Sequence, residues 1–191
     1  MKFHPLTRFL HLLVALGVTS QLLTSLVMLR PKPGRPANGW YEIHQAVGIG
    51  LLAVVSAYWL WVAVRTLARG EPLMLFPWLS RRRLAELGHD IAATVDEVRR
   101  GRLPGGDQPR PLPSAVQGAG LLLLAFMAAT GTTMAVGMAP DGAMSPALLA
   151  VKDIHETAAS LMWAYFAVHP ALGVLHQFAG HRSLNRIFGG G

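Results

Sequence analysis

The sequence predicts an all-α protein: a membrane four-helix bundle with a cytoplasmic amphipathic helix between spans two and three. Three observations carry this. Of 191 residues, 52% are hydrophobic and 14% charged, against roughly 25% charged in soluble domains. Four stretches carry no charge at all: Phe9 to Leu29, Ile43 to Val64, Ala115 to Ala139 and Thr157 to Ala179, of 21, 22, 25 and 23 residues. About 20 apolar residues cross a bilayer as a helix. None of the four shows the alternating polarity, over about ten residues, of a membrane barrel strand.

The whole chain, 1–191, reads as a single integral membrane domain. Its spans fall at about 8–29, 42–66, 114–138 and 152–178, with a long loop at about 67–113. The first span follows Lys2 and Arg8. A charged start before an apolar stretch also describes a signal peptide. However, the first charge-free stretch exceeds the roughly 7–15-residue hydrophobic region of such a peptide, and no A-x-A-like site follows it. Arg30 to Gly39 is Pro-rich and reads as a short, ordered loop. The second span opens at Glu42. In the long loop, Leu84, Leu87, Ile91, Val95 and Val98 recur every three or four positions. That is one face of a helix over Arg81–Arg102, with arginines on the other face and Trp78 just before it. Such a helix lies in the cytoplasmic headgroup layer or offers a docking surface to a soluble partner. Gly105 to Pro113 reads as a connector. Spans three and four follow, joined by a loop with Asp141 and Lys152.

Charge sets the orientation. Lys2, Arg8, Arg65, Arg69, Arg81, Arg82, Arg83, Arg99, Arg100, Arg102, Arg110, Arg182 and Arg186 fall in the tails and the second loop. Only Arg30, Lys32, Arg35 and Lys152 fall on the other side. Cytoplasmic loops are enriched in Lys and Arg, so both termini and the long loop are expected in the cytoplasm. The net charge of +7 is thus read as membrane topology, and no nucleic-acid partner is expected. The chain has no cysteine. This excludes disulfides, iron–sulfur clusters, thiolate metal sites and covalently attached haem.

Ionisable residues inside spans are costly and usually functional. His11 enters from the cytoplasmic side, about one turn in. His44 and His155 lie near the outer ends of spans two and four. His169 follows His155 by 14 residues, about 40° short of four full turns, so the two share a face about 21 Å apart. His155 therefore stands at the depth of His44, and His169 approaches that of His11. One helix supplies a ligand to each of two sites and two other helices supply the partners. This is the geometry of two stacked bis-histidine haems, non-covalent and b-type, one near each membrane surface. His11 and His169 hold the inner iron and His44 and His155 the outer. A lone membrane histidine can be a hydrogen-bonding core residue; four at matched depths argue for haem. His176, seven residues past His169 on nearly the same face, is an alternative inner ligand by spacing. Its place near the end of the span suits a propionate, a quinone head group or water. His4, His89 and His181 lie outside the spans and read as solvated.

Span three has no histidine. Its Gly120 and Gly131 are about 20° from one face and roughly 16 Å apart. They and Gly48, one turn from His44, permit close approach of a macrocycle, although small residues also simply pack membrane helices. Arg8, Arg30, Lys32 and Arg35 are candidates for propionate contacts.

The chain resembles the bacterial cytochrome b561 and nickel-hydrogenase or formate-dehydrogenase cytochrome b superfamily. The matching residues are the opening RFLHLLVALGVTSQLL, the second-span IHQAVGIGLLAVVSAYWLWV and the fourth-span IHETAASLMWAYFAVHPALGVLHQF. The resemblance covers all four spans, and its specific part is the histidine pattern. It implies a four-helix bundle in the bacterial cytoplasmic (inner) membrane with two b haems that exchange electrons with quinone. By position it implies His11 and His169 for the inner haem and His44 and His155 for the outer. The second loop, from Glu71 to Pro113, is longer than in the compact stand-alone members. In this it is similar to the cytochrome subunits of hydrogenases and formate dehydrogenases.

The function expected is transmembrane electron transfer, with quinone bound where an apolar cleft meets a few polar groups. Two rivals share the haems. One is a quinone-linked oxidoreductase acting directly on a small molecule such as superoxide, drawn to the cationic first loop. The other is an anchor subunit of a dehydrogenase or hydrogenase, or one fed by a soluble cytochrome. A third, a transporter or divalent-metal channel, finds few intramembrane carboxylates to help bind a metal. Membrane lipid, quinone and a redox protein are the partners expected.

Overall fold

The computed structural model describes residues 3–69, 75–103, 110–180 and 183–189. Lys2, Glu71, most of the Gly105–Pro113 connector, His181 and Arg182 lie outside the described residues. Six α-helices are described: α1 Pro5–Ser25, α2 Gly39–Arg69, α3 Arg81–Arg99, α4 Pro111–Gly137, α5 Pro146–Phe178 and α6 Ser183–Phe188. There is no strand among the described residues. Helices α1, α2, α4 and α5 are long and apolar enough to cross a membrane. Their outward side chains are apolar and bare: Leu60 is 66% exposed, Leu161 61% and Phe178 86%. Such helices satisfy their backbone internally and can leave apolar side chains to lipid.

The helix ends follow from a few residues. Proline stands at the first position of α1, α4 and α5, where its missing N–H costs nothing. That is why α4 opens at Pro111, inside the segment that reads as a connector. Asn38 caps α2, its side-chain oxygen accepting the Tyr41 N–H at 3.1 Å. The same side chain accepts the Leu29 N–H at 2.9 Å and donates to the Val27 carbonyl at 3.0 Å. It thereby takes up groups just past α1, which ends at Ser25 rather than Leu29. Ser145 caps α5, its hydroxyl accepting the Leu148 N–H at 3.3 Å. This helix starts ahead of Lys152, whose ammonium is met by Glu156 at 2.6 Å and Asp153 at 3.1 Å. Pro170 lies inside α5 and removes one helical hydrogen bond.

The chain packs as two compact units. One comprises Pro5–Trp61 and Leu123–Ala164, the other Met1–His4, Val62–Leu122 and Tyr165–Gly191. In the first, Leu22, Leu51, Val55, Leu124, Ala158 and Met162 are buried. The Tyr41 hydroxyl reaches the Met138 sulfur at 3.7 Å, and the Trp61 indole N–H donates to the Thr7 hydroxyl at 2.8 Å. Lys32 and Arg35 exchange backbone hydrogen bonds of 2.9 and 2.8 Å, folding the first loop into a tight turn.

In the other unit, α3 carries its expected apolar face with no buried residue: Leu84, Ile91, Val95 and Val98 are all exposed. Gly101, at φ 68°, ends α3. Its N–H bonds the Val98 carbonyl and that of Arg102 the Glu97 carbonyl, both at 2.9 Å, a closure that needs the left-handed conformation glycine allows. Arg110 clamps the helix. Its guanidinium meets Asp90 at 2.6 Å, Glu97 at 3.3 Å and the Thr94 hydroxyl at 3.0 Å. The second Asp90 oxygen accepts the Leu112 N–H at 2.8 Å, in the first turn of α4. Desolvation disfavours the charged guanidinium, but the bonds and charges of Asp90 and Glu97 outweigh it and hold its pKa above the ordinary value.

Candidate functional site

Two of the four span histidines meet in one unit. The cap at Asn38 fixes where α2 begins and so the depth of His44; the cap at Ser145 does the same for His155 on α5. Both rings are half-buried, and His155 lies within electrostatic range of His44. Each ring is held through the same nitrogen. His44 Nδ1 lies 3.0 Å from the Thr24 hydroxyl of α1, and His155 Nδ1 lies 2.8 Å from the Thr130 hydroxyl of α4. Among the described residues no other side-chain hydrogen bond to either ring is found, so Nε2 of each is the nitrogen available to a further partner. The Gln21 amide donates to the His44 carbonyl at 2.6 Å, which fixes α1 against the turn that carries the ring.

The glycines divide. A Cβ on Gly131 would stand 3.2 Å from His155 Cε1, tighter than side chains normally pack, so Gly131 gives the imidazole its room. A Cβ on Gly48 would stand 3.4 Å from the Gln21 amide, an ordinary contact. Gly120 belongs to the other unit, where a Cβ would run into the Tyr165 ring. That ring stacks on His169, with centroids 5.1 Å apart and planes 10° apart.

His11 and Arg8 are half-buried on α1 in the unit of His44 and His155; His169 and His176 are half-buried on α5 in the other. Arg30, Lys32 and Arg35 stand on the loop after α1. Sequence reasoning missed Thr24, Thr130, Gln21 and Tyr165. For the threonines the available signal was their depth, since each lies at the level of a span histidine. For Tyr165 it was the four-residue spacing to His169, which makes helix neighbours.

The donor set fits a haem. Iron takes neutral imidazole on two sides, and two rings from different helices, each tethered at Nδ1, offer that arrangement. Among the described residues no group of three or more His, Asp or Glu side chains able to hold a metal ion occurs. A family model described as prokaryotic cytochrome b561 matches residues 2–190. No curated protein and no solved structure matches the chain.

Proposed function

The chain belongs to the prokaryotic cytochrome b561 family, and from that premise we propose that it carries electrons across the membrane through two non-covalent b haems, exchanging them with quinone. One observation carries the reading: His44 and His155, from α2 and α5, share one compact unit, and each is tethered at Nδ1 with Nε2 left over. A haem held there supplies a one-electron couple. His11 and His169 are the ligands of the inner site by sequence spacing, about 21 Å along α5 from the outer one. Arg8, Arg30, Lys32 and Arg35 are assigned to propionates. Gly131 keeps the His155 ring in place, Gly48 leaves a smooth helix face near His44, and Gly120 supports His169 through Tyr165. His176 is assigned to a quinone head group at the cytoplasmic end of α5. Both termini lie in the cytoplasm, and α3 rests its exposed apolar face in the headgroup layer of that leaflet.

A second reading has an observation of its own. Lys32 and Arg35 are exposed on a tight turn of the unit that holds His44 and His155. Such a turn draws small anions, and superoxide would deliver its electron there directly.

The test is a reduced-minus-oxidised optical spectrum of the purified chain, followed by mixing with a reduced short-chain quinol. Soret and α bands that the quinol fills support the proposal. A protein without those bands overturns it, and one whose bands respond to superoxide but not to quinol supports the second reading.

A further inference from the structure

A threonine hydroxyl has one proton to give and two lone pairs to receive. In α1 the Thr24 oxygen lies 2.7 Å from the Ser20 carbonyl and 3.1 Å from the Gln21 carbonyl. A carbonyl can only accept, so the hydroxyl proton is committed to the helix backbone. With the proton given there, the 3.0 Å contact with His44 Nδ1 is met by the tautomer whose Nδ1–H donates to the threonine oxygen. Thr130 repeats this on α4. It lies 2.8 Å from the Phe126 carbonyl and 3.2 Å from that of Met127, so its 2.8 Å contact with His155 Nδ1 is again an N–H donated by the ring.

Two unrelated helix pairs, α1 with α2 and α4 with α5, thus use one device. In both, the proton is placed on Nδ1 and the lone pair on Nε2. Thr24 is only 4% exposed, which leaves little room for water to take over its part. The β-branched side chain is stiff about χ1, and the bond back to the preceding turn holds the oxygen in one direction. Donating its own proton also polarises the hydroxyl and makes it a better acceptor.

We propose that Thr24 and Thr130 are positioning residues for the outer haem: they hold His44 and His155 as Nδ1–H tautomers, present Nε2 to the iron and set the potential of that haem alone. This rests on the haem reading above. An acceptor on Nδ1–H makes the imidazole a stronger donor to iron, which favours the ferric state. Losing the acceptor therefore moves the midpoint potential upward and weakens haem retention, by about 10–100-fold in affinity for an outer-shell partner of this kind. His169 has another support, the stacked Tyr165 ring, so the inner haem should not respond.

The experiment is an optical redox titration of the full chain with its native haem, carried out on Thr24→Val, Thr130→Val, Thr24→Ser and Thr130→Ser. Valine keeps the shape and deletes the hydroxyl; serine restores it. Each valine variant is expected to shift the same one of two titrating components upward and to lower its haem occupancy. Each serine variant is expected to return that component toward the wild-type value. If a valine variant does not accumulate, Thr→Cys, a weaker acceptor of similar size, must shift the same component upward. Valine or cysteine variants that titrate like the wild type, or that move different components, overturn the inference while leaving the haem reading standing. A wild-type protein that binds no haem overturns both.

Discussion

The ring of Tyr165 lies parallel to that of His169, one turn further along α5, with centroids 5.1 Å apart. Gly120 of α4 makes the space in which the tyrosine sits. This pair links a half-buried aromatic in an apolar span to the histidine assigned to the inner haem.

Filling that space should disturb the histidine without touching it. Gly120→Val places side-chain atoms where the Tyr165 ring now is, and overpacking of this kind typically costs about 1–3 kcal/mol. The inner haem is expected to lose its low-spin bis-histidine signature while the outer keeps its own. Tyr165→Phe preserves the ring stack and should keep the inner low-spin signature; Tyr165→Leu should reproduce the Gly120→Val spectrum in low-temperature electron paramagnetic resonance.

His169 and His176 compete for the inner iron by spacing. Fourteen residues from His155 leave each haem its own half of the bilayer, whereas 21 residues, about 31 Å, put one iron at the edge of the hydrocarbon. His169→Ala should lose the inner haem and keep the outer. His176→Ala should keep both, with at most a shifted potential or slower reaction with quinol. The reverse pattern in the visible spectra of the two variants would assign the inner site to His176.

Much of this was legible in the sequence. The four apolar runs read as four membrane-length helices because about 20 apolar residues suffice for a span. The repeat of Leu84, Leu87, Ile91, Val95 and Val98 gave α3 because helical period is local. The histidines stood out because an ionisable group in a span is rare. Their holders did not. Thr24 and Thr130 are unremarkable polar residues in apolar runs. Whether a threonine faces a histidine or lipid depends on the rotation of its helix, which packing sets and composition does not. Gly120 read as room for close approach, and the neighbour that a Cβ there would meet, the Tyr165 ring, has no signature in composition. Arg110 read as one more cytoplasmic charge, and its partners Asp90 and Glu97 lie 20 and 13 residues away, beyond any helical spacing rule.

Arg110 should matter for α3 and not for haem. Its side chain and that of Asp90 are 18% and 10% exposed. Removing one partner of such a pair leaves the other charge uncompensated, at about 1 kcal/mol once solvent screening is counted. In Arg110→Ala the amides of α3 should exchange hydrogen faster while the visible spectrum stays that of the wild type. Arg110→Lys keeps the charge but loses the fork and should fall between the two. Unchanged exchange in the alanine variant would mean that α3 is held by its apolar face instead.

Reporter fusions test the orientation. The bias of Lys and Arg toward the tails and second loop predicts that fusions after Gly39 and after Asp141 report the outside, and that one within Arg81–Arg102 reports the cytoplasm. An external signal from that segment would invert the membrane and exchange the labels of the two haems.

The most direct measurement is the haem content of the purified chain. Pyridine haemochrome analysis against quantitative amino-acid analysis should give two b haems per chain, one for His44 with His155 and one for His11 with His169. A ratio near one would mean that one of these pairs does not hold iron, and a ratio near zero would contradict the account as a whole.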